Sequence, residues 1–136
     1  MAASGIVDAG FLVALLSRKD RHHRWAAAQS TQIPPPWRTC DAAVSEAFHL
    51  LGSLGRPGLA ALLRRGAVVP QFDFSGEMRR VLDLMDKYAS VPMSMADACL
   101  VRMSETLADT VLLTTDTDFR IYRRHGRQVV PSVLPR

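Results

Sequence analysis

Four carboxylates draw attention because each lies where a solvated acid is out of place. Asp8 interrupts the apolar run GIVDAGFLVALL, Gly5–Leu16. Glu46 sits in AAVSEAFHLLGSL among alanine and valine, and Asp97 sits in MSMADACLV with no lysine or arginine before it. Asp116 follows the apolar segment VLLTT and opens the turn TTDTDF, with Asp118 two residues on. A buried carboxylate without a partner is costly, so it shifts its pKa or acquires a compensating group. At ~4 Å and an effective dielectric of 20, each like-charge pair costs about 4 kcal/mol. If several of these acids meet, a divalent cation is the natural compensation, and an all-oxygen donor set selects Mg2+ or Mn2+ over zinc. No His or Cys cluster competes, since His22 and His23 adjoin on a polar turn and His49 and His125 stand alone. Such a cation suits phosphodiester hydrolysis, orienting a water for in-line attack and stabilising the leaving 3′-oxygen. Each acid also has a plainer use. Asp8 and Asp97 suit helix N-caps and Asp118 suits a turn.

The elements that would position these acids alternate between strand and helix. Gly5–Asp8 reads as a short strand running into a helix over Ala9–Ser17, whose Phe11, Leu12, Leu15 and Leu16 recur at helical spacing. A second helix covers roughly His22–Thr31, and Pro34–Pro36 ends it. Trp37–Cys40 is a second strand, after which Asp41 caps a helix over Ala42–Leu54 with Gly55 as its stop. Pro57 opens a further helix to Arg65, closed by Gly66. Ala67–Gln71 is extended, Gly76–Tyr88 is strongly amphipathic, and Ser94 with Asp97 has the spacing of a capping box for a helix to Leu107. Thr110–Thr114 is a buried strand by composition. A short helix Phe119–Arg124 leads to a last strand, Gln128–Val130, and a tail. This alternation predicts an α/β fold with a central parallel sheet of about five strands between two helical layers. The four acids fall at the carboxyl edge of that sheet, where ligands bind in open α/β folds.

The totals agree with a single domain over residues 1–136, large enough to bury a substantial core. A net charge of +4 permits a polyanionic partner without demanding one. Cys40 and Cys99 have neither metal-ligand spacing nor disulfide density, which suits a reducing compartment. The start of the chain lacks the basic region of a signal peptide, and no stretch reaches the ~18 apolar residues of a membrane helix, so the cytoplasm is expected and membrane attachment is not. Arg18, Lys19, Arg21, Arg24 and Arg38, with Arg120, Arg123 and Arg124 after the acidic turn, are candidates to face such a polyanion. Aromatic stacking platforms are not evident, which argues against a general single-strand binder.

Asp8 in IVDAGFLVALL, Glu46 in VSEAFHLL, Asp97 in MADACLV and Asp116 in LLTTDTDF, in this order and context, resemble the PIN-domain family. The branch they resemble is the VapC-type ribonuclease toxins of bacterial toxin–antitoxin pairs. The likeness runs from Ile6 to about Val130, and its specificity lies in the four motifs together. It implies that Asp8, Glu46, Asp97 and Asp116 form a catalytic, Mg2+- or Mn2+-binding quartet, with Asp118 a fifth acid and Thr114 a supporting hydroxyl. It also implies an RNA substrate, a homodimer and a cognate antitoxin that places a segment in the cleft. One position departs. The family usually carries Ser, Thr or Asn two residues after the first Asp, and this chain has Gly10. That change either removes a polar contact to metal, water or phosphate, or lets a phosphate approach the backbone closely. Two other readings compete. One is a PIN-like module that only binds RNA or protein. The other takes Asp116 and Asp118 as the DxD of a haloacid-dehalogenase-like phosphatase, which would require a later lysine that the sequence lacks.

Overall fold

A computed structural model of the chain describes residues 3–136. The central element is β1 (Ser4–Val7), which pairs in parallel with β4 (Thr110–Leu113) on one side and β2 (Trp37–Thr39) on the other. β3 (Val68–Pro70) extends the sheet beyond β2, and β7 (Ser132–Val133) extends it beyond β4. The five-stranded order is therefore β3-β2-β1-β4-β7, all parallel. The chain winds outward from β1 through β2 and β3, then crosses to β4 on the other side. The change of direction leaves a crevice between the carboxyl ends of β1 and β4.

Strand alternation divides the core in two. Ile6 of β1 and Leu112 of β4 face a cluster with Val81, Leu100, Met103 and Tyr122. Their neighbours Val7 and Leu113 face the other cluster, with Phe11, Leu12, Trp37 and Leu59. A strand buried on both faces must be apolar at every position, which is why IV and LL run without alternation. The helices fill the two layers: α4 (Phe74–Lys87) and α5 (Met95–Thr106) serve the first cluster. α1 (Ala9–Leu16), α2 (His23–Gln32) and most of α3 (Asp41–Arg64) serve the second. Phe11 anchors that side, with Trp25 and Trp37 packed edge-on at 5.9 and 5.4 Å.

Three sequence expectations need correction. Asp41 is the first residue of α3 and is exposed, while Cys40 takes the cap position without a side-chain bond to the helix start. The break in the Ala42–Arg65 region falls at Gly52, not Gly55, and the helical path resumes at once through Pro57. Gly52 adopts φ 65° and ψ −164°, a conformation essentially confined to glycine. The carboxyl-terminal part differs most. Phe119–Arg124 is not a helix: a 3-10 turn covers Thr117–Arg120, and β5 (Arg123–Arg124) pairs antiparallel with β6 (Gln128–Val129) as a separate ribbon. His125 and Gly126, both at positive φ, make its tight turn. The segment read as a tail supplies β7, accepting a hydrogen bond from Leu112 N at the Pro131 carbonyl, 2.8 Å, and from Thr114 N at the Val133 carbonyl, 3.2 Å. Among the described residues, no helix is long and apolar enough to cross a membrane.

Candidate active site

Asp8 leaves β1 in an extended conformation and starts α1, with its Oδ1 accepting the Phe11 N–H at 2.8 Å. That bond satisfies one of the free donors at a helix start, and the carboxylate gains from the helix dipole. The other oxygen, Oδ2, accepts a hydrogen bond from the Thr114 hydroxyl across 106 residues of chain. Thr114 is fully buried just past β4, and its Oγ1 in turn accepts the Asp116 N–H at 2.9 Å. One hydroxyl thus ties the carboxyl ends of β1 and β4 together. Asp116 Oδ1 accepts the Asp118 N–H at 2.9 Å, an Asx turn that fixes the Asp116 carboxylate at the edge of the cleft.

Asp97 comes from the opposite helical layer. The capping box predicted from the sequence is present: Asp97 N donates to Ser94 Oγ at 3.0 Å, and Ser94 N donates to Asp97 Oδ2 at 3.3 Å. The hydroxyl of Tyr122 also donates to Oδ2, at 3.3 Å. Tyr122 is fully buried and is held edge-on by Tyr88 and Phe119, with ring centroids 5.1 and 5.3 Å away. Its place in this cluster could not be read from the sequence, because it depends on the turn after Asp116 folding back over α5. Glu46 projects from the first half of α3 and is exposed at the rim.

Asp8, Glu46, Asp97 and Asp116 line one small cleft of about 140 Å³ at the crevice between β1 and β4, with Gly10 and Thr115 beside them. Asp118 does not line it. Burial drives the Asp8 pKa up from 3.8 to about 7, against the pull of its bonds to Thr114 and Phe11, and the charges of Asp116 and Asp97 add to the rise. Burial likewise raises Asp97, with the Asp116 charge adding and Ser94 and Tyr122 opposing. The lining contains no lysine or arginine, so no side chain there offsets this negative charge. Among the described residues, no three His, Cys, Asp or Glu side chains are gathered tightly enough to cage an ion by themselves. An open arrangement of oxygen ligands fits a hard divalent cation of the kind that keeps several waters and is held by one or two carboxylates together with substrate phosphates.

Four of the eight basic candidates have definite settings. Arg123 Nη1 donates to the carbonyls of Arg120, Ile121 and Tyr122, and Arg124 Nη1 donates to the Ser104 carbonyl at 2.8 Å, so both brace the ribbon. Arg18 and Lys19 line a neighbouring groove that shares Leu50 with the acid cleft. Gly10 has a specific neighbour. A Cβ built there would lie 2.5 Å from Thr115 Oγ1 and 3.5 Å from Asp8 Oδ1. The space that a side chain at position 10 would take is occupied by a threonine hydroxyl.

Comparison with known proteins agrees with this fold. The PIN domain family model matches residues 5–124. No curated protein matches the chain. Among solved structures, the crystal structure of Mycobacterium tuberculosis VapC20, a sarcin–ricin-loop-cleaving toxin, superposes with a TM-score of 0.74 at 22% identity, covering 85% of this chain and 92% of that one. The shared fold places β1, β4 and their carboxyl-end crevice in a known architecture, and leaves the haloacid-dehalogenase-like reading of Asp116 and Asp118 without support. A parallel sheet with carboxylates at its switch point, and a family match over nearly its whole length, make this chain a member of the PIN-domain family.

Proposed function

We propose that the chain is a Mg2+- or Mn2+-dependent endoribonuclease, the toxin of a type II toxin–antitoxin pair, acting in the cytoplasm as a homodimer. The observation that carries this reading is the cleft itself: four carboxylates from four separate elements around one opening, with no basic residue among them. Asp8, Glu46, Asp97 and Asp116 would hold the cation, which when bound offsets their charge and activates a water for attack at phosphorus. The protein's own part is positioning. Thr114 and the Phe11 N–H fix Asp8, the Asp118 N–H fixes Asp116, and Ser94 with Tyr122 fixes Asp97. Glu46, exposed on α3, is free to adjust as substrate enters.

The toxin reading draws on the likeness to VapC20 and on exposed apolar surface next to the cleft. Leu50 and Leu54 on α3 are 56% and 96% exposed, whereas Leu59 further along is buried. An antitoxin segment laid across Leu50 would reach the acid cleft and could place an arginine among its carboxylates.

The deciding experiment combines Mn2+ titration with cleavage of a range of RNAs. Cleavage that needs Mn2+ or Mg2+, stops with EDTA and falls at least 100-fold in Asp8→Asn and Asp97→Asn supports the nuclease. Tight RNA binding indifferent to EDTA, with no cleavage by the wild-type chain, would overturn it in favour of a binding module.

A further inference from the structure

We infer that the Thr115 hydroxyl is a substrate-contacting group of the cleft, donating to a non-bridging phosphate oxygen of bound RNA, and that Gly10 is glycine because it makes room for this hydroxyl. The inference rests on the ribonuclease reading above and adds a residue and a reason for Gly10 to it.

Three observations converge on Thr115. The first is chemical. Among the described residues, the cleft is lined by four carboxylates, by small or apolar residues, and by Thr115. Thr115 supplies the only side-chain O–H or N–H donor in that lining. A phosphodiester entering between carboxylates meets repulsion from every other polar side chain, and a donor aimed into the cleft is what an anionic oxygen requires.

The second is directional. Thr114 and Thr115 follow β4 as neighbours, and the backbone bends at Thr115, so the two side chains have different surroundings. Thr114 turns inward, is fully buried and bonds both Asp8 and the Asp116 N–H. Thr115 turns to the cleft and is half-buried, and its hydroxyl makes no hydrogen bond among the described residues. Two adjacent threonines thus divide the work: one holds the carboxylates, and the other is left free to meet a ligand.

The third is steric. Gly10 lies in the first turn of an eight-residue helix, where glycine is a poorer helix former than alanine. Its presence is accounted for by the 2.5 Å separation between a Cβ at position 10 and Thr115 Oγ1, closer than real Cβ atoms approach an oxygen. A side chain at position 10 thus requires the Thr115 hydroxyl to move. Position 10 and position 115 therefore form a matched pair.

The test uses the full-length chain with a fluorescein-labelled single-stranded RNA. Turnover is followed in Mn2+, and binding is followed by anisotropy in Ca2+. Thr115→Val, which keeps the shape and removes the hydroxyl, is expected to lower kcat/KM about tenfold or more, mainly through KM, and to weaken RNA binding to match. Calorimetric Mn2+ affinity and Tm should stay at wild-type values. Thr115→Ser should restore activity to within about threefold. Gly10→Ala should lose as much as Thr115→Val, and the double variant should lose no more than either, because both remove the same contact. Wild-type kinetics in Thr115→Val, losses that multiply in the double variant, or a fall in Mn2+ affinity would overturn the inference. The two readings fail separately. A wild-type chain that binds RNA but never cuts it, with binding weakened by Thr115→Val, removes the nuclease and leaves the contact. A wild-type chain that cuts, with Thr115→Val cutting equally well, removes the contact and leaves the nuclease.

Discussion

Asp8 is the residue on which the chemistry and the stability of the site meet. Its pKa of about 7 in the folded chain lies above the ordinary 3.8, mainly because the carboxylate is buried. A carboxyl group raised by folding stabilises the fold while it is protonated. That contribution is complete below pH ~4 and is lost as pH rises through about 7. Metal-free protein should therefore lose stability between pH 4 and 7 on account of Asp8. Asp8→Asn cannot ionise, so thermal melts in EDTA should give it a higher Tm than wild type at pH 8, with the gap closing towards pH 4.5. A gap that does not change with pH would mean that Asp8 is not strained by its charge. Adding Mn2+ should reverse the order at pH 8, since only the wild type gains from ligand binding. Thr114→Val makes the complementary case. It leaves both a buried carboxylate oxygen and the Asp116 N–H without their partner, and each unpaired buried group costs ~1–3 kcal/mol. Urea unfolding should show a loss of at least ~2 kcal/mol, well beyond what removing a surface threonine would cost.

At the scale of elements, legibility followed how local the determining interactions are. β1 and β4 were readable because a doubly buried strand must be apolar throughout, and IV and LL are. The capping box of α5 was readable because Ser94 and Asp97 answer each other within one turn. The stop in α3 is hard to place because the sequence offers Gly52, Gly55 and Pro57 within six positions, and no local pattern singles out Gly52. β7 was missed because two residues carry no pattern, and its pairing with β4 is visible only when the ribbon β5–β6 returns the chain. The same holds within the site. The acids stand out by their misplaced polarity, whereas the settings of Tyr122 and Thr115 depend on neighbours distant in sequence. Gly10 could be noticed as a departure, but the hydroxyl that fills its space could not. Gly52 offers a test at this scale. With φ 65° and ψ −164°, it occupies backbone space that a Cβ makes strained. Gly52→Ala should lower unfolding free energy by ~1–3 kcal/mol although nothing lies within 4 Å of the added carbon. An unchanged midpoint would show that α3 can straighten through the break without loss.

For the whole molecule, the charges are divided in a way that a net +4 conceals. Four of the acids meet at the cleft and no basic residue lines it, so a polyanion bound there would be held by basic residues outside it. Arg18 and Lys19 line the groove that shares Leu50 with the acid cleft, which makes them the first candidates to hold RNA under the proposed function. Arg123 is equally basic but its guanidinium is engaged by three carbonyls of its own loop. The salt dependence of RNA binding distinguishes these roles. Each phosphate contact to single-stranded nucleic acid contributes about 0.7 to the slope of log affinity against log salt concentration. Replacing both Arg18 and Lys19 with alanine should therefore flatten that slope by about 1.4 between roughly 50 and 200 mM salt, and leave the Tm in place. Arg123→Ala should do the opposite, lowering the Tm because the loop carbonyls lose their donor, and leaving the slope as in wild type. If the Arg18 and Lys19 variant keeps the wild-type slope, the RNA path runs elsewhere, and the exposed Arg120 beside the acidic turn becomes the residue to replace next.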